Sequence, residues 1–148
     1  MKISKYFTLH DATYSATAEA RKIDNSPNDI ELANIRNTAE SLDSVWDLLG
    51  YPVLVSSWFR SAALNKAVGG SRTSSHLSGK AVDFSCPAFG TIEEVCKKIS
   101  ESNLQFDQLI FEQNGSKQWC HLGFGYRMRG QVLSWSPKRG YKNGIMRL

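Results

Sequence analysis

Between Ile35 and Leu49 the apolar residues Ile35, Ala39, Leu42, Trp46 and Leu49 recur at steps of three or four, with Arg36, Glu40, Asp43 and Asp47 set among them. That period lays one apolar stripe along a helix and turns the charged positions toward water. The helix is expected to start at Ser26-Pro27-Asn28-Asp29, with Ser26 as its cap, Pro27 at the first helical position and Asp29 in the first turn, and to end at Gly50. A shorter helix begins at Thr91, whose hydroxyl caps while Glu94 completes a reciprocal box; Ile92, Val95, Cys96 and Ile99 form its inward stripe. Elsewhere the apolar runs shorten and glycine, asparagine or serine punctuates them. Strands are expected at Val53 to Ser56, Ala81 to Phe84, Gln108 to Glu112, Trp119 to Phe124 and Val132 to Trp135. A turn at Asn114-Gly115-Ser116 pairs the third strand antiparallel with the fourth. Thr13 to Ser26 is polar and weakly helical, a lid or wrapping segment. No repeat or low-complexity linker divides these elements, so residues 1–148 read as a single α+β domain, with helices packed on one face of a mostly antiparallel sheet and a cleft on the other.

Composition adds bounds rather than chemistry. A chain of 148 residues is long enough to bury a core without disulfides. The three cysteines Cys86, Cys96 and Cys120 have an odd count and no Cys-x-x-Cys spacing, which excludes a thiolate zinc knuckle and a paired framework and leaves them as small core residues. No apolar run has the length of a membrane span, and Met1-Lys2-Ile3-Ser4-Lys5 lacks the apolar stretch of a secretory signal, so the expectation is a chain made as a soluble protein. The net charge is +4, with Arg127, Arg129, Lys138, Arg139, Lys142 and Arg147 gathered toward the C-terminal end. Such a face is either simply solvated or attracts a polyanion at long range. Tyr126, Trp135 and Tyr141 interleave with it as a nucleic-acid stacking surface would. No nucleic-acid motif accompanies them, and no nucleic-acid partner is expected.

The candidate chemistry lies in Ser74-Ser75-His76-Leu77-Ser78-Gly79-Lys80-Ala81-Val82-Asp83 and, further on, Trp119-Cys120-His121. Two imidazoles and a carboxylate form a three-ligand set for Zn2+ that leaves a fourth position open. The spacing from His76 to Asp83 is too long for one helical face and suits a turn, bent at Gly79, that returns into a strand. Along that strand Ala81 and Asp83 share one face, Val82 and Phe84 the other, so Asp83 enters a cleft while Phe84 enters the core. Ser74 and Ser75 are placed to hold the turn or orient a ligand. By the same alternation Cys120 faces away from whatever His121 faces. The bland alternative is a solvated loop histidine and a strand-end carboxylate. His10, in Phe7-Thr8-Leu9-His10-Asp11, is expected to be structural or on the surface.

The run Ser-x-His-x-x-Gly-x-Ala-x-Asp with its later Trp-x-His resembles the zinc D-Ala-D-Ala peptidases of the M15 type. Upstream, Ser57-Trp58-Phe59-Arg60-Ser61 and Leu64-Asn65-Lys66-Ala67-Val68-Gly69-Gly70-Ser71 resemble the compact, phage-associated branch of that family, as does Phe106-Asp107-Gln108-Leu109-Ile110-Phe111-Glu112. The resemblance implies a hedgehog and DD-peptidase-like fold, with His76, Asp83 and His121 as metal ligands. It also implies that Arg60 holds a substrate carboxylate or peptide carbonyl, a task suited to a planar, permanently charged fork. The dipeptidase branch places a glutamate three residues before the second ligand histidine, where this chain has Gln118. An amide takes no proton from water at neutral pH, which leaves Gln118, with Ser74, as a substrate-binding candidate. Glu112 is the candidate base, since the expected hairpin brings it near His121; Asp107 is the more distant alternative. The implied function is zinc-dependent hydrolysis of peptidoglycan stem peptides at the bacterial cell wall, as a D-Ala-D-Ala carboxypeptidase or a stem-peptide endopeptidase. The glutamine at 118 keeps open a zinc-bearing wall-binding module without turnover.

Overall fold

A computed structural model describes residues 1–148. Two short helices, α1 (Leu9–Thr13) and α2 (Ala16–Arg21), lead into the long α3 (Asp29–Leu49). The cap of α3 is Asn28 rather than Ser26. Asn28 Oδ1 accepts from Glu31 N at 2.8 Å while Glu31 Oε1 accepts from Asn28 N at 2.9 Å, so two otherwise orphaned donors are satisfied at once. Pro27 therefore precedes the helix, and the Ser26 amide is occupied by Asp24. The buried stripe of α3 is Ile35, Thr38, Ala39, Leu42, Val45 and Leu49. Trp46 lies at its edge, half-buried, because Tyr6 stacks on the indole at 4.2 Å and fastens the N-terminal segment there.

After α3 come β1 (Leu54–Ser57), α4 (Ala62–Ala67), β2 (Ala81–Ser85) and α5 (Ile92–Ser100), then β3 (Gln108–Asn114), β4 (Lys117–Gly123), β5 (Gln131–Ser136) and β6 (Gly140–Asn143). The strands form one sheet in the order β1-β2-β4-β3-β5-β6. Every pairing is antiparallel except β3 with β5. The six-residue α4, capped by Ser61, and the edge strand β6 go beyond the sequence expectation; β6 exposes three of its four residues and so carries no apolar alternation to read.

One face of the sheet carries Val82, Phe84, Leu109, Phe111, Cys120 and Leu122 against Ile35, Leu42, Val95 and Ile99 of α3 and α5. Burying a side chain such as Phe84 or Phe111 there contributes about 1.5–3 kcal/mol. All three cysteines are free and buried. No helix is long and apolar enough to cross a membrane. The opposite face holds the residues that alternate with this core. Register sets Asp83 beside His121, and Glu112 beside both Trp119 and Trp135.

Candidate active site

His76 stands on a single 3₁₀ turn, Ser75–Ser78, that enters β2. Ser74 caps the turn, its Oγ accepting from His76 N at 3.2 Å. Gly79 closes it at φ +77°, and a Cβ there would stand 2.7 Å from Ile35 Cγ1, so only glycine lets α3 approach this closely. The Trp58 indole donates to the Gly79 carbonyl at 3.1 Å, and the Trp58 carbonyl lies 2.6 Å from His76 Nδ1. A proton on Nδ1 satisfies that carbonyl and leaves the Nε2 lone pair aimed inward.

His76 Nε2 lies 3.3 Å from Asp83 Oδ2, and His121 Nδ1 lies 2.8 Å from Asp83 Oδ1. The ligand atoms of the three residues lie within 4.8 Å of one another. Tetrahedral zinc with bonds near 2.0–2.1 Å separates its ligand atoms by about 3.3 Å, so this donor set fits the ion with little adjustment. Burial opposes ionisation of Asp83, yet the two imidazoles prevail and hold its carboxyl well below the usual carboxylate range. For His121 burial favours the neutral ring, but the hydrogen bond and charge of Asp83 and the charge of Glu112 together outweigh it, raising the imidazole pKa.

Arg60 leans over the same acid, with Nη2 3.7 Å from Asp83 Oδ2. Its Nε donates to Ser57 Oγ and its Nη1 to Asn65 Oδ1, both at 3.2 Å, while the buried Asn65 is itself anchored to the Ser71 carbonyl. The guanidinium is thus aimed from three sides. Gly70 backs it closely: a Cβ there would meet Nη1 at 2.9 Å.

Glu112 shares the cleft face of β3 with Ile110, whose register partner is His121. It is not a solvated strand-end acid. Burial raises its pKa, outweighing the lowering influence of His121, and Trp119 Nε1 donates to its Oε2. Asp107, the alternative acid, is committed elsewhere: its carboxylate takes two parallel bonds from Arg129 at 2.8 and 3.0 Å, and a third from the Arg129 amide at 3.0 Å. Gln118 requires a correction. Trp119 and His121 point into the cleft, so alternation along β4 turns Gln118 to the other side, where it lines a separate groove with Gln113, Ser136 and Arg139. It does not line the cleft that holds His76, Asp83 and His121.

The cleft has a volume of about 540 Å³ and is lined by Arg60, Ser74, His76, Asp83, Glu112, Trp119 and His121, together with Trp135 and Tyr141. Ser74 therefore both caps the His76 turn and faces the cleft. His10 lies apart, edge-on to Tyr14 at 5.2 Å. Cys120 is buried in the core, on the opposite face of β4 from His121. Sequence reasoning missed Asn65 as the anchor of Arg60 and Trp119 as the donor to Glu112. The two-residue period of β4 was sufficient to find Trp119. Trp135 and Tyr141, which the sequence offers only as members of a basic, aromatic C-terminal face, line the cleft.

A search of the curated proteins found no match. The family model described as Peptidase M15 matches residues 5–122, a stretch that contains Arg60, Ser74, His76, Asp83, Glu112 and His121. Peptidases of this family are typically zinc-dependent, and the match covers most of the chain. On that match, the chain belongs to the peptidase M15 family.

Proposed function

We propose that residues 1–148 form one zinc peptidase domain that hydrolyses peptide bonds in the stem peptides of bacterial peptidoglycan, as a D-Ala-D-Ala carboxypeptidase or a stem-peptide endopeptidase. The observation that carries the reading is the convergence of His76, Asp83 and His121 on one point, with the half-buried Glu112 on the same face of the sheet. His76, Asp83 and His121 would hold the ion. Zinc bound by such a set supplies Lewis acidity, which polarises a carbonyl and acidifies water. Glu112 takes the proton from the attacking water and returns it to the leaving amine; a carboxylate raised by burial is suited to both halves of that cycle. Arg60 binds a substrate carboxylate or peptide carbonyl through its fork. Ser74 keeps the His76 turn in place and offers its hydroxyl to the substrate. The site of action is the cell wall, reached by a route such as a phage lysis system or carriage on a particle, and the basic C-terminal residues favour approach to that polyanion.

Incubating the zinc-loaded protein with purified peptidoglycan and assaying new amine groups and released D-alanine tests the reading. New ends that disappear on chelation are the expected result. Tight binding without new ends would instead make the protein a zinc-bearing wall-binding module.

A further inference from the structure

The cleft-facing residues stand in sequence across the sheet. Arg60 overhangs β2 beside Asp83, His121 follows on β4, Glu112 on β3, Trp135 on β5 and Tyr141 on β6. Glu112, Trp135 and Tyr141 are direct register partners in turn. With neighbouring strands about 4.8 Å apart, the Tyr141 backbone lies about 10 Å beyond Glu112, on the side away from Arg60. The two rings, 6.3 Å between centroids and inclined at 46°, form an open aromatic corner. Tyr141 remains 61 % exposed, and neither ring belongs to the hydrophobic core, which lies on the other side of the sheet. Both lie C-terminal to the family match at residues 5–122, so the corner is carried by a part of this chain separate from the metal and acid residues.

An extended peptide advances about 3.3 Å per residue, so about 10 Å corresponds to three residues. A fixed cation at one end of the row suits the carboxyl-terminal side of a peptide, and flat apolar rings at the other suit peptide planes and methyl groups. We propose that Trp135 and Tyr141 form a subsite for the substrate residues two to three positions on the amino-terminal side of the cleaved bond. The enzyme then acts on oligopeptide stems and works poorly on dipeptides. This rests on the peptidase reading of the site and adds its length requirement.

The test uses stem peptides cut at one and the same bond and lengthened residue by residue, from one to four, on the amino-terminal side. For the zinc-loaded wild type, kcat/KM is expected to rise about tenfold once three residues precede the bond. Trp135→Ala and Tyr141→Ala lose that length dependence, the long-to-short ratio falling toward one through KM, with zinc content retained. Tyr141 sits on an exposed edge strand, so its variant keeps the test available should Trp135→Ala fail to fold. A flat length series in the wild type, or a rise that persists in both variants, overturns the proposal. Should the wild type cut nothing, the peptidase reading fails by itself and binding of the longest peptide, followed by calorimetry, decides the subsite. Weaker affinity in Tyr141→Ala supports it, whereas equal affinity or no binding overturns it.

Discussion

Glu112 shows how one residue's surroundings set its chemistry. On an exposed strand end it would be an ordinary carboxylate; hydrogen-bonded by Trp119 and near His121, it is sunk far enough into the cleft that burial raises its pKa. Replacing it with glutamine retains volume and hydrogen bonding and removes the proposed proton acceptor. Hydrolysis by Glu112→Gln is expected to fall by about 10²- to 10⁴-fold while bound zinc stays at the wild-type level. Steady-state rates beside metal analysis check this, and a variant that keeps its rate would move the base elsewhere. The glutamate was legible as a candidate because Gly115-Ser116 closes the β3–β4 hairpin and brings it toward His121. What the linear sequence did not show was its partial burial between two register partners, Trp119 on β4 and Trp135 on β5. Gln118 lies off the cleft for a related reason: three steps along a strand from His121 reverse the face.

At the scale of elements, the placement of β5 is the step that no local pattern dictates, because it alone pairs in parallel, beside β3 rather than beside its sequence neighbour β4. Asp107 organises that return. Its amide donates to the Gly123 carbonyl at 2.8 Å, its carbonyl accepts from Gln131 at 2.9 Å, and its carboxylate grips Arg129 in the intervening connection. The hydrogen bonds from Arg129 lower the Asp107 pKa against the opposing effect of burial. A carboxyl depressed in the folded state stabilises it at pH values above its unfolded pKa near 3.8, and that stabilisation is lost as pH falls through the lower folded value. Asp107→Asn is therefore expected to melt below the wild type at pH 7, with the two melting temperatures converging in strongly acidic solution. Thermal melts from pH 7 down to pH 2 follow the difference; a gap independent of pH would remove the ion pair from the account.

Across the whole molecule, the three proposed ligands tie a turn, an inner strand and its neighbour into one point above a core built from α3, α5 and the sheet. An ion that binds only this assembled set stabilises the fold by mass action, about 2.7 kcal/mol when free zinc is a hundredfold above its dissociation constant. Zinc should raise the melting temperature of the wild type and leave that of His121→Ala unmoved, with the variant losing about one bound equivalent on the expectation of three protein ligands. Calorimetry with and without chelator reads both, and a wild type indifferent to chelation would count against a metal at this point. The sequence by itself determined that α3 and α5 are amphipathic helices and that a glycine-bent turn leads into β2, and it marked His76, Asp83, His121 and Arg60 as candidates, because each of these is written among near neighbours by period or ordered motif. Only the tertiary structure decided which acid lies in the cleft, which face Gln118 occupies, and that Trp135 and Tyr141 wall the site. Those outcomes follow from strand register and a parallel pairing between distant segments, and long-range pairing is fixed by the packing of the whole chain rather than by any stretch of it.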